Sequence, residues 1–208
     1  MTEIIDISRL LSEDVAVFPG DTQFSRKWVM SIDDGCSCNT STFTLSAHTG
    51  AHTDAPSHFV KGAPTLDQVP LDKYLGRCRV IHGKHADAIK LDDLEGLDLA
   101  AEERLLFRTP NAPGDDEWDD AFAYVSKEVA ERAAGDGLTL IGIDTPSVDP
   151  MTSKTLDAHR ALFGGGVAIL ESIDLSGVDE GVYRLIALPL RIAGADSSPV
   201  RAVLLKES

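Results

Sequence analysis

Residues Ser126–Ile143 read SKEVAERAAGDGLTLIGI. Two periods meet in this stretch. Val125, Val129 and Ala133 share one face of a helix, Ser126 stands where an N-cap belongs, and Gly135 supplies the stop. The helix is then expected over 126–134. Leu138–Ile143 follows as an apolar run of strand length. Outward from this pair, further strand-like runs are Ile4–Ile7, Cys78–Ile81, Leu105–Phe107, Val167–Leu170, Tyr183–Leu188 and Val200–Leu204. Thr42–Leu45 alternates polar and apolar, as a half-buried strand does. A second helix is expected over Lys154–Phe163, ended by Gly164-Gly165-Gly166. Strands outnumber helices. The prediction is an α/β class chain, a single domain over residues 1–208 around a mixed β-sheet.

The composition narrows the function. The chain has 208 residues, 43% of them hydrophobic, and a net charge of −15. It can bury a sizeable core. Its acidity argues against nucleic acid and against an anionic membrane surface. No apolar run reaches the ~18 residues of a membrane span. MTEIIDISRL has no basic start leading into an apolar stretch, so no signal peptide is expected and the cytoplasm is the expected location. Three cysteines, with Cys36 and Cys38 spaced as CSC, read as reduced thiols rather than a disulfide framework. Asp115 to Asp120, DDEWDD, follows Pro113 and Gly114 and reads as a solvated loop.

The chemistry concentrates in His48–His58, HTGAHTDAPSH, which holds three of the six histidines. In a straight strand His48 and His52 would stand about 13 Å apart, too far for one ion. Gly50 permits a bend, and Pro56 keeps Ala55 out of helical geometry. The segment is therefore expected to be a kinked strand end that turns His48, His52 and Asp54 towards one point. Imidazoles with a carboxylate suit Zn²⁺, Mn²⁺ or Fe²⁺, and three protein ligands with an open position suit catalysis. His58, beyond Pro56, is free to carry protons. The alternative is a set of ordinary polar loop histidines; the added Asp54 and His58 weigh against it. Glu171 interrupts the apolar VAILESI, where a buried carboxylate calls for a cation or a donor. His82 and His85 are expected to face solvent, and His159 to be a structural helix residue when taken alone.

The HTGAHTDAPSHF run resembles the metal motif of the cyclase-like metal-dependent hydrolases. PGDT at 19–22, VPLDKYLG at 69–76, IGIDTPSVDP at 141–150, SKTLDAHR at 153–160, AILE at 168–171 and LIALPLRIAGADSSPVRAVL at 185–204 extend it. Together they resemble the bacterial kynurenine formamidase (arylformamidase) family over nearly the whole chain. The resemblance implies a swivelling β/β/α fold, a homodimer, and a site for two Zn²⁺, with Mn²⁺ as the alternative ion. It implies that His48, His52 and Asp54 hold the first ion. Asp54 and His159 would hold the second, and Glu171 would touch both. It implies His58 as proton donor and acceptor. Phe18 falls where the family has a substrate-contacting aromatic, usually tryptophan, and is expected to bind substrate with a smaller surface.

The implied reaction is hydrolysis of N-formyl-L-kynurenine to L-kynurenine and formate in tryptophan degradation. Hydroxide made between two ions would attack the formyl carbon, and His58 would protonate the aryl nitrogen. Phe18, with Phe59 or Trp28, would wall the ring. Rival readings are a related metal hydrolase of a cyclic amide such as isatin, and a non-enzymatic metal-binding protein. A serine hydrolase would usually need a G-x-S-x-G elbow, and the sequence has none.

Overall fold

The computed structural model describes residues 3–206. In chain order the strands are β1 (Glu3–Asp6), β2 (Ser25–Met30), β3 (Thr40–Thr44), β4 (His52–Asp54), β5 (Leu75–His82), β6 (Ala88–Ile89) and β7 (Arg104–Arg108). They continue with β8 (Tyr124–Val125), β9 (Leu140–Ile143), β10 (Ala168–Glu171), β11 (Gly181–Ile186), β12 (Ser197–Pro199) and β13 (Val203–Lys206). The helices are α1 (Lys127–Gly135) and α2 (Asp157–Gly164).

Nine strands form one mixed sheet in the order β1-β13-β11-β5-β7-β9-β10-β4-β12. Its centre, β5-β7-β9-β10, is parallel, and both flanks are antiparallel. Parallel strands are covered on both faces, which is why the central runs are almost continuously apolar. Alternation sorts them. Leu105, Phe107, Ile141, Ile143 and Ile169 face α1 and α2, where Val129, Ala133 and Leu162 meet them. Leu106, Leu140 and Leu170 point the other way, into a core with Tyr74, Leu185 and Leu204.

α1 begins where expected, with the Ser126 hydroxyl accepting from Val129 N–H. It runs one residue further, through Gly135, because the left-handed turn that ends it falls on Gly137 (φ +78°). α2 starts three residues later than expected. The final strand starts at Val203 instead of Val200, and the short β12 escapes a reading by period. The half-buried reading of Thr42–Leu45 is corrected: β3 pairs only with β2, and this ribbon is exposed along nearly its whole length. His82 and His85 do not simply face solvent. His82 bonds the Val178 carbonyl at 2.9 Å, and His85 pairs with Asp92 at 2.8 Å. Among the described residues no helix is long and apolar enough to cross a membrane.

Candidate metal centre and cavity

The site lies where β4 is inserted between β10 and β12. A turn at 48–50 brings the chain into β4, and Gly50 takes φ +65°. A Cβ there would stand 2.5 Å from Leu11 Cδ2, so the bend needs glycine for two reasons. The turn brings the His48 and His52 rings to 5.1 Å between centroids. His52 and Asp54 share one face of β4, and the antiparallel register sets His52 opposite Glu171. α2 lowers His159 onto the same point.

The distances are those of converging donors. His48 Nδ1 lies 3.1 Å from Asp54 Oδ1, and His52 Nε2 lies 3.2 Å from Glu171 Oε2. His159 Nε2 stands 3.3 Å from Asp54 Oδ2 and 3.5 Å from Glu171 Oε1. His52, Asp54, His159 and Glu171 are all at most 5% exposed. Such a cluster of buried ionisable groups is costly unless something binds it together. The buried Asp54 Oδ1 has no hydrogen bond, although two imidazole nitrogens lie 3.1 and 3.6 Å away. Nitrogen and carboxylate oxygen turned inwards around an unsatisfied anionic atom fit a divalent cation of the zinc or manganese kind.

Outer partners fix which nitrogen faces the cluster. The Gly50 carbonyl can only accept, so His52 Nδ1 carries the proton at 2.8 Å and Nε2 is left free. Asp149 does the same for His159, with Nδ1 at 2.6 Å. Val148 N–H donates to Glu171 Oε1 at 2.7 Å. Burial opposes a charged His159, yet its bonds to Asp149 and Asp54 and the nearby Glu171 raise its pKa to about 10. Burial likewise opposes charge on His48, but Asp54 and Asp196 raise it to about 9. Burial pushes the Asp54 carboxyl up, while His159 and His48 hold it well below the usual range. Metal binding would displace these imidazole protons, so affinity falls with acidity.

Asp149 has a second task. Leu156, the residue at the start of α2, has φ +51° and a side chain that cannot cap. Asp149 supplies the cap from a distance: Oδ1 accepts from Ala158 N–H at 3.1 Å and Oδ2 from His159 N–H at 3.0 Å. One carboxylate therefore starts the helix and orients its histidine. Asp149→Ala is expected to weaken metal binding about 10- to 100-fold. It should also cost the metal-free protein about 1 kcal/mol. Metal titration and thermal melts read the two effects separately, and unchanged affinity would remove the orienting role.

In front of the cluster lies a cavity of about 420 Å³, within the usual range for small ligands. His48, His52, His58, His159 and Glu171 line it, and Phe18 lies across it. His58 ends a short 3₁₀ turn, Pro56–His58, with its ring 4.3 Å from that of His48. Asp196, a residue the sequence reading passed over, links the two: Oδ2 lies 3.2 Å from His48 Nε2 and 3.6 Å from His58 Nδ1.

Two expected ring contacts are corrected. Phe59 does not line this cavity; it packs behind the cluster against His159 and Phe163, at 5.0 and 5.9 Å. Trp28 sits on the exposed β2–β3 ribbon under the Arg26 guanidinium. The ring that meets Phe18 is Trp118, at 5.3 Å, from the loop read as merely solvated. A lone tryptophan among acids was the overlooked signal, since indole is seldom left wholly in water. The CSC pair is free thiols, Cys36 half-buried and Cys38 exposed.

Comparison with known proteins agrees with this geometry. The Cyclase family model matches residues 5–150. Over 205 residues the chain is 45% identical to the kynurenine formamidase of Bordetella pertussis (strain Tohama I), covering 98% of each. A solved structure described as a predicted metal-dependent hydrolase from Bacillus stearothermophilus superposes with a TM-score of 0.86 at 28% identity, over all of both chains. Isatin hydrolase A from Labrenzia aggregata shares the fold, with a TM-score of 0.82 at 22% identity over 100% of this chain and 94% of that one. A curled mixed sheet, a buried histidine–carboxylate cluster on its β4–β10 seam and full-length likeness converge: the chain belongs to the Cyclase family of metal-dependent hydrolases, among the kynurenine formamidases.

Proposed function

We propose that the protein is a metal-dependent arylformamidase that hydrolyses N-formyl-L-kynurenine to L-kynurenine and formate in tryptophan degradation. The observation that carries this reading is the convergence of five donors, His48, His52, Asp54, His159 and Glu171, from three segments distant in sequence, beside a cavity that also presents His58 and Phe18. Relatedness to the Bordetella pertussis kynurenine formamidase supports the choice of substrate.

His48, His52 and Asp54 would hold one Zn²⁺, Asp54 and His159 a second, and Glu171 would touch both. Bound there, such ions supply Lewis acidity and bring the pKa of water towards about 7. The chain's own groups do the rest. Phe18 offers the aryl ring an apolar surface. His58, beside the cluster and open to the cavity, gives a proton to the departing aryl nitrogen, which leaves poorly as an anion. Asp196 aims the His58 ring and steadies His48. The β2–β3 ribbon exposes Trp28, Val29, Met30 and Phe43. A two-stranded ribbon is marginal alone, and we assign it to subunit contact in a homodimer.

One purified sample tests the reading through turnover of N-formyl-L-kynurenine against isatin, bound metal per chain, and mass by light scattering. The expected result is formamide hydrolysis that chelation abolishes and Zn²⁺ restores, with about two ions per chain and a dimeric mass. Full activity after exhaustive metal removal would refute the metal-dependent route. Turnover of isatin alone would move the substrate to a cyclic amide, and a monomeric mass would withdraw the subunit contact.

A further inference from the structure

Part of the cavity wall comes from two segments, 9–18 and 113–118, that are stitched together. Arg9 does most of the stitching from a nearly buried position, its side chain 10% exposed. Its Nη1 donates to Pro113 O at 2.9 Å and to Asp115 Oδ1 at 3.0 Å. Nη2 reaches Asp144 O at 2.8 Å, and Nε reaches Ser172 O at 3.2 Å. Ala16 N–H donates to Asp115 O at 2.8 Å. The first segment carries Phe18, and the second carries Trp118.

We propose that Trp118 is the specificity-determining residue of this cavity, forming with Phe18 a two-ring corner that seats the aryl ring of aromatic formamides and favours them over alkyl ones. The proposal rests on the formamidase reading above.

Three observations support it. First, Trp118 lines the same cavity as His58 and Glu171, so a ring resting on it lies beside the reacting end. Second, the indole is held rigidly. It meets Phe18 at 5.3 Å and 75°, and the buried Phe122 at 6.0 Å and 78°, while Nε1–H donates to Asp120 Oδ1 at 2.7 Å. A ring fixed beforehand loses little entropy when it receives another ring. Third, the corner is tied to the chemistry. The carbonyl that Arg9 Nε grips belongs to Ser172, the neighbour of Glu171, and Ser172 sits at φ +54°, an uncommon value for a residue with a side chain.

The test compares wild type, Trp118→Ala and Trp118→Phe as metal-loaded enzymes on N-formyl-L-kynurenine, formanilide and N-formylbutylamine. For Trp118→Ala the expected result is a KM about tenfold higher on both aryl substrates, the loss of one aromatic contact and its buried area. Its kcat and bound metal should stay near wild type, and its activity on the alkyl formamide should not move. Trp118→Phe should recover most of the aryl KM. A second readout needs no turnover. In a Trp28→Phe background Trp118 is the remaining indole, and L-kynurenine should quench its fluorescence saturably. An unchanged aryl KM, or equal losses on aryl and alkyl substrates, overturns the proposal. If wild type hydrolyses no formamide, the reading of function falls. Quenching then decides this proposal alone: saturable quenching sustains it, and its absence ends it.

Discussion

Asp54→Asn is expected to strip the protein of bound metal and to lower turnover about a thousandfold or more. Asp54 is the residue both halves of the cluster share. One oxygen lies beside His48 and His52, the other beside His159. Asparagine keeps the shape but replaces one anionic oxygen with an NH₂ group, whose hydrogens face the very imidazole nitrogens that should point at a cation. The change removes the negative charge that makes the site attractive to a divalent ion, and with it the several kcal/mol that catalytic ions supply. Each ~1.4 kcal/mol is a factor of ten in rate. Metal analysis by mass spectrometry and turnover on the same sample read the outcome, with circular dichroism as the control for folding. An Asp54→Asn protein with wild-type metal content and turnover would dismantle the assignment of the whole cluster.

His58→Ala is expected to lower turnover by about 10²–10⁴-fold while metal content stays at the wild-type level. The reasoning is positional. His58 is the most open of the clustered imidazoles, with a side chain 35% exposed against 19% for His48 and 3% for both His52 and His159. It sits at the edge of the cluster, beside His48 and Asp196, whereas the buried pair is wedged between carboxylates. A ligand should be enclosed, and a proton carrier should meet both substrate and solvent. His58, Asp54 and His48 do bring donor atoms within 4.8 Å of one another, so ligation is the competing role. The two roles separate in one measurement. Loss of turnover with metal retained marks a proton carrier, and loss of both together marks a ligand.

The parts of this molecule that were legible in advance are those encoded over a few neighbouring residues. The cap at Ser126, the apolar faces of α1 and the bend at Gly50 each need only a local window, because backbone dihedrals and side-chain period are local properties. So do the doubly buried central strands and the grouping of His48, His52 and Asp54. Glu171 stood out for the same reason, as one carboxylate in an apolar run. The solvated reading of the acidic loop holds for most of its carboxylates but misses the cavity that Trp118 lines, because local composition says nothing of what a loop lies against. Arg9 pulls that loop onto the cavity from more than a hundred residues away in sequence.

By itself, then, the sequence determined the α/β class, the central strands and the turn that gathers His48, His52 and Asp54, and through resemblance the roles expected of His159, His58 and Phe18. Only the tertiary structure decided that Asp149 caps α2 and aims His159, that Asp196 bridges His48 and His58, and that Trp118 replaces Phe59 and Trp28 as the ring beside Phe18. Those contacts depend on strand register and on how distant loops close, and no local pattern of residues carries that information.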